Sequence, residues 1–185
     1  MTTLSSAGSL PRSRGITILG IVGFAAAVAA ASQIAIPLPW TPVPITLQPM
    51  LVILAGMLLG PTAGATSMVL YLAAGASGLP VFTPIGAPGL ARFFGPTGGY
   101  LIAYPVAAVV AGVIAARAKS VSTRWLAGVA GIAVIYVGGI AQLSLLSGDF
   151  ARAVQLGVTP FAALDIVKAF VAAVIASPRA TRRAA

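Results

Sequence analysis

The sequence contains no cysteine and no histidine. Disulfides, thiolate nucleophiles, imidazole metal ligands and histidine acid–base catalysis are therefore excluded. Acid is nearly as scarce: two Asp or Glu residues in 185, Asp149 and Asp165, against 11 Lys and Arg, for a formal net charge of +9. Charged residues make up 7% of the chain, where a soluble domain devotes about a quarter. Between Gly15 and Ala91 there is no charge at all. A water-facing surface cannot be built from such a stretch, so the solvent is lipid. There is also no G-x-x-x-x-G-K-[ST] loop for ATP and no readable nucleophile–base pair. The chain reads as neither an enzyme nor a cofactor carrier. Its basic residues are too few and too dispersed to track a nucleic acid backbone.

What is present agrees with lipid. The chain is 59% hydrophobic, with a mean hydropathy of +1.05. A spanning helix needs about 20 apolar residues, or about 17 at the short end. On that measure the expectation is an all-α integral membrane protein with six transmembrane helices. The spans read as Gly15–Ile36, Thr46–Leu59, Thr62–Ser77, Gly98–Ala116, Trp125–Leu146 and Phe161–Ala176. Basic residues before the first apolar run resemble a signal peptide, but that run is long enough to span and to be retained. After it, "PLPWTPVP" places four prolines in eight residues and cannot continue a helix, and Trp40 suits a headgroup layer. Pro105 is expected to kink the fourth span. The repeated "GPTxG" at 60–64 and 95–99 reads as two similar helix-starting turns rather than a duplication.

Orientation follows from positive charge. With a cytoplasmic N-terminus, the inner side holds Arg12, Arg14, Arg117, Lys119, Arg124, Arg179, Arg182 and Arg183, and the outer side holds Arg92 and Arg152. Both termini are thus expected in the cytoplasm. Residues 1–14 form a cytoplasmic segment, 15–177 the membrane domain and 178–185 a basic tail.

An ionisable side chain in a bilayer costs on the order of 2.5–3.5 kcal/mol or more, so each needs a reason. Asp165 and Lys168 stand three apart on one helix face, at depths of about 6 and 10 Å. A buried ion pair contributes little stability for its cost, which favours a polar ligand site over a structural pair. Arg92, in the longest outer loop, is the third outlier. Two cations and one anion complement a solute that carries a carboxylate and N–H donors. Gln33, Gln48, Tyr100 and Gln142 are polar residues that could line the same cavity, with Phe82 as an apolar wall. Asp149 and Arg152 read as a solvated or capping pair. In the first span "FAAAVAAAS" puts alanines at small-xxx-small spacing, a face suited to close helix docking or to packing within the bundle.

The stretches "IAIPLPWTPVPITLQ" (34–48), "LAGMLLGPTAGATSMVLYLAAGASGLPVF" (54–82), "FGPTGGYL" (94–101) and "DIVKA" (165–169) closely resemble the BioY proteins. These are the biotin-binding S components of energy-coupling factor (ECF) transporters, and the likeness runs in order through all the expected spans. The resemblance implies an S-component fold, an outward biotin cavity, and partners comprising a transmembrane coupling protein and cytoplasmic ABC ATPases. It implies a multi-pass protein of the bacterial cytoplasmic membrane. It carries substrate contact onto Arg92, Asp165 and Lys168, with Gln48, Phe82 and Tyr100 beside them, and partner docking onto Ala25, Ala26, Ala29 and Ala30. Asp165 is expected to meet the ureido N–H groups, and Arg92 with Lys168 the carboxylate. Ala163 and Leu164 stand where the family often has Pro-Gly, so that motif does not fix where the last helix begins. The alternatives are an S component for another vitamin, a stand-alone proton-coupled carrier, or a structural membrane subunit. Homo-oligomerisation stays open.

Overall fold

A computed structural model describes residues 14–177 of the chain. Arg12 and the basic residues of the tail, Arg179, Arg182 and Arg183, lie outside the described residues. The architecture is helical: α1 (Arg14–Gln33), α2 (Gln48–Leu59), α3 (Pro61–Ala76), α4 (Gly98–Ala116), α5 (Val121–Ser147), α6 (Phe150–Gly157) and α7 (Ala162–Ile175). A short hairpin, β1 (Ile36–Leu38) and β2 (Thr41–Ile45), joins α1 to α2, and a 3-10 turn, Gly89–Phe94, precedes α4. By length and composition, α1, α4 and α5 can each cross a membrane. The pair α6–α7, bent by 53°, passes the same test together.

The first expected span ends sooner than its hydropathy suggests. Residues 34–36 leave the helix and Ile36 opens β1. Prolines at 37, 39, 42 and 44 push each preceding residue toward extended backbone, so the segment folds as an antiparallel ribbon about the turn Pro39–Trp40. The second span likewise starts two residues late, at Gln48. The segment after α5, which reads as a loop, contains α6. Asp149 caps it, its carboxylate accepting the Arg152 backbone N–H at 3.1 Å, the capping role expected of that residue. The last helix begins at Ala162 and puts Asp165 in its first turn, without the Pro-Gly of the family motif.

Backbone contact between helices organises the bundle. Helix α4 lies against α2, α3 and α5, and α7 against α2 and α5, while α1, among the described helices, packs on α2 and α3 alone. Glycines make the crossings close. A Cβ on Gly112 would stand 2.7 Å from the Gly56 carbonyl oxygen, and one on Gly64 2.7 Å from the Gly56 Cα. Where α4 crosses α5, a Cβ on Gly99 would overlap the Gly138 carbonyl, and one on Gly138 the Gly99 carbonyl. Neither neighbour is a flexible side chain that can turn away. Gly99→Ala is therefore expected to destabilise the protein by about 1–3 kcal/mol or more. Thermal unfolding in detergent checks this, and an unchanged midpoint would show that the two helices separate freely.

Alanines of α1 divide between two faces. Ala25 is buried in the protein's own core with Ala29 packed beside it, whereas Ala26 and Ala30 are exposed. The turn of the helix separates the two i, i+4 pairs, so only the second presents an outward face.

Candidate ligand site

One cavity, about 640 Å³ including its open mouth, is lined by β2, α2–α5, the 79–97 connection and α7. Arg92, Asp165, Lys168, Gln48, Phe82 and Tyr100 all face it. The three charged residues are 4%, 4% and 6% exposed, so each is withdrawn from solvent and must find partners within the protein.

Asp165 and Lys168 find each other. The Lys168 ammonium donates to Asp165 Oδ1 at 2.7 Å and to the Thr46 carbonyl at 2.8 Å. The Tyr136 hydroxyl donates to Asp165 Oδ2 at 2.7 Å. Both carboxylate oxygens therefore hold a donor, and one of the three ammonium protons remains uncommitted. Tyr136 was not apparent in the sequence as a member of this group. A tyrosine on an apolar helix reads as an interface anchor, and nothing in its neighbours points to a partner 29 positions away.

From Lys168 a series of contacts runs along the wall toward Arg92. Thr46, whose carbonyl holds Lys168, donates its hydroxyl to Gln48 Oε1 at 3.2 Å. Gln48 Nε2 donates to the Tyr71 hydroxyl at 2.8 Å. The Tyr71 ring meets Phe82 edge to face, with centroids 5.4 Å apart, and stacks toward Tyr104 at 6.5 Å. The Arg92 guanidinium carbon lies 6.0 Å from the Phe82 centroid. Gln48, Tyr71 and Phe82 thus stand between the two cationic positions. Tyr100 is fixed by donating to the Gly157 carbonyl at 2.9 Å, and Gly139 and Gly157 provide the room its ring occupies.

Arg92 is held differently. It projects from the 3-10 turn, where Nη1 donates to the Ile85 carbonyl and Nη2 to the Thr83 carbonyl at 2.5 Å. Its Nε is buried and has no hydrogen-bond partner among the described residues. Burial pulls the guanidinium below its ordinary pKa, opposed by the nearby Tyr71. An arginine starts so high that it stays a cation throughout the physiological range.

Two other polar residues sit elsewhere. Gln33 donates to the Phe82 carbonyl at 3.1 Å and to the Pro80 carbonyl at 3.3 Å, and faces a second cavity beneath the 78–92 loop. Gln142 donates to the Phe93 carbonyl at 3.4 Å and does not line the main cavity. Each satisfies backbone carbonyls, so the expectation that they share the main cavity is corrected. Trp40, at the hairpin turn, is 63% exposed, as an interfacial indole would be.

A chamber lined by tyrosines, Phe82 and three buried charged residues, built among lipid-compatible helices, has the character of a membrane site for a small amphipathic solute. The chain belongs to the BioY family, whose profile matches residues 5–185. It is 44% identical over 153 residues to the probable biotin transporter BioY of Pyrococcus horikoshii, covering 83% of this chain and 89% of that one. It is 38% identical over 153 residues to the biotin transporter BioY of Thermotoga maritima, with the same two coverages, 83% and 89%. The fold matches a 2.1 Å crystal structure of the S-component for biotin from an ECF-type ABC transporter, with a TM-score of 0.83 and 27% identity over 95% of each chain.

Proposed function

We propose that this protein captures biotin as the substrate-binding membrane subunit of an ECF-type ABC transporter. The observation that carries the proposal is the pairing of Asp165 and Lys168 at 2.7 Å in the chamber that Arg92 also lines. Biotin carries a cyclic urea at one end, a carboxylate at the other and an apolar body between. On one edge of a urea a donor N–H lies beside an acceptor C=O. A carboxylate next to an ammonium offers the complementary acceptor and donor side by side. In this reading Asp165 accepts the ureido N–H, and the uncommitted proton of Lys168 goes to the ureido oxygen. Tyr71, Phe82 and Tyr104 cover the ring system, and Arg92 receives the carboxylate through the Nη protons that the Thr83 and Ile85 carbonyls leave free. This reading differs from the sequence expectation, which grouped Lys168 with Arg92 at the carboxylate, by placing Lys168 at the ureido end.

The wider arrangement is inferred in the same way. Six spans would comprise α1–α5 and α7, with the short α2 and α3 completed by flanking residues and α6 leading into the last span. Charge bias supports termini on the cytoplasmic side of a bacterial cytoplasmic membrane. Ala26 and Ala30 form the face on which a transmembrane coupling protein would dock, bringing ATPases that this chain does not contain. Titrating labelled biotin into the purified protein beside Asp165→Asn tests the site. Saturable tight binding by the wild type and a loss of roughly a hundredfold in the variant are expected, since a buried charge partner is removed. Wild-type protein that binds no biotin would end the proposal.

A further inference from the structure

Arg92 stands on a wall shared by two cavities, the chamber described above and the one beneath the 78–92 loop, about 520 Å³ including its mouth. The loop doubles back on the guanidinium. Thr83 and Ile85 each aim a carbonyl at one of its Nη atoms. The residue that follows is Gly86, with φ at +101°, in the region that favours glycine. A Cβ on Gly86 would stand 2.7 Å from Arg92 Nη1. The glycine therefore meets two needs at once: a backbone conformation that side chains resist, and clear space where the guanidinium lies.

We infer that the Thr83–Gly86 turn is a positioning device for Arg92, with Gly86 as the residue that lets two carbonyls grip the guanidinium end while its second Nη protons stay free for the ligand. An arginine reaching free from a loop has several rotatable bonds to immobilise when it grips an anion. Here the turn has already fixed the group before any ligand arrives. The inference rests on the reading that biotin's carboxylate meets Arg92. It adds that the strength of this contact is set from the far side of the guanidinium, by a residue that touches no ligand. Backbone carbonyls cannot be deleted by substitution, so Gly86 is the place to perturb them.

The test crosses a protein change with a ligand change. Wild type, Gly86→Ala and Gly78→Ala are each titrated with biotin and with biotinamide, which replaces the carboxylate by a neutral amide. Gly78 is a fitting control, because its φ is also positive, at +96°, while a Cβ there meets nothing within 4 Å. Wild type should prefer biotin by roughly tenfold to a hundredfold, the range of a charge-assisted hydrogen bond. Gly86→Ala should reduce that preference to about unity while binding biotinamide as the wild type does, and Gly78→Ala should keep the preference. Equal losses for both ligands in Gly86→Ala, no loss for either, or a preference lost equally in Gly78→Ala, would overturn the positioning role alone. A wild type that does not distinguish the two ligands would instead overturn the carboxylate reading beneath it. Should the alanine variant not fold, Gly86→Asn carries the same Cβ and accepts positive φ more readily.

Discussion

In a Lys168→Met variant, biotin affinity is expected to fall by roughly a hundredfold to a thousandfold, and the thermal midpoint to fall with it. Methionine keeps the length and apolar stem of lysine, so the space that Lys168 fills stays filled. What goes is the cation between Asp165 and the Thr46 carbonyl. Asp165, 4% exposed, would be left with only the Tyr136 hydroxyl as donor. Removing one member of a buried pair costs about 3–5 kcal/mol, because the survivor keeps its desolvation penalty and loses its compensation. Combining Lys168→Met with Asp165→Asn should then separate stability from binding. The double variant has no buried charge at that position, so its midpoint should recover to about the wild-type value or above it. Its affinity should stay as low as that of the single variants, since the ureido edge finds neither carboxylate nor ammonium. Thermal unfolding in detergent and equilibrium binding on the same preparations decide the matter. A double variant that binds as the wild type does would make the pair structural.

The second large effect concerns uptake alone. Leucine at both Ala26 and Ala30 should cut ATP-driven biotin uptake by cells roughly tenfold or more while leaving binding to the purified protein unchanged. Both alanines are exposed on α1, four residues apart, and bulky groups there would hold a partner helix away at about 1–3 kcal/mol for each overpacked position. Val137→Leu on α5, another exposed apolar site, should leave uptake intact. Wild-type uptake that persists after ATP depletion and collapses with an uncoupler would point to a stand-alone carrier. Unchanged uptake in the alanine variant would move the docking face elsewhere.

The ionic members of the site were legible because charge in a lipid-solvated chain is expensive and therefore conspicuous. Asp165 and Lys168 needed no more than that to be singled out, whereas Arg92, in a loop, stood out only beside them and through the family resemblance; all three line one chamber. Their partners were not legible. Tyr71, Tyr104 and Tyr136 carry no cost that marks them, and a hydroxyl reveals its role only when the fold brings an acceptor to it. Gln33 and Gln142 looked equivalent to Gln48, yet each turned to nearby backbone carbonyls. Helix starts were readable from Pro61 at the head of α3 and the Gly60–Pro61 break, while the proline-rich stretch said only that no helix could continue. That prolines at alternating spacings favour a ribbon is a matter of pairing between strands, which hydropathy does not register. Helix α6 escaped for a related reason: it is eight residues long, so its amphipathic pattern and Asp149 cap span too little sequence to stand out from a loop.

The bond from Lys168 to the Thr46 carbonyl joins positions 122 residues apart. Chains emerge from the ribosome with their N-terminal portions first. The hairpin and the five helices up to α5 can therefore settle before α7 exists, but this wall of the chamber cannot be tied down until α7 has been made and inserted. Ligand capture thus waits on α7, and a molecule that stopped short of Lys168 would reach the membrane without it.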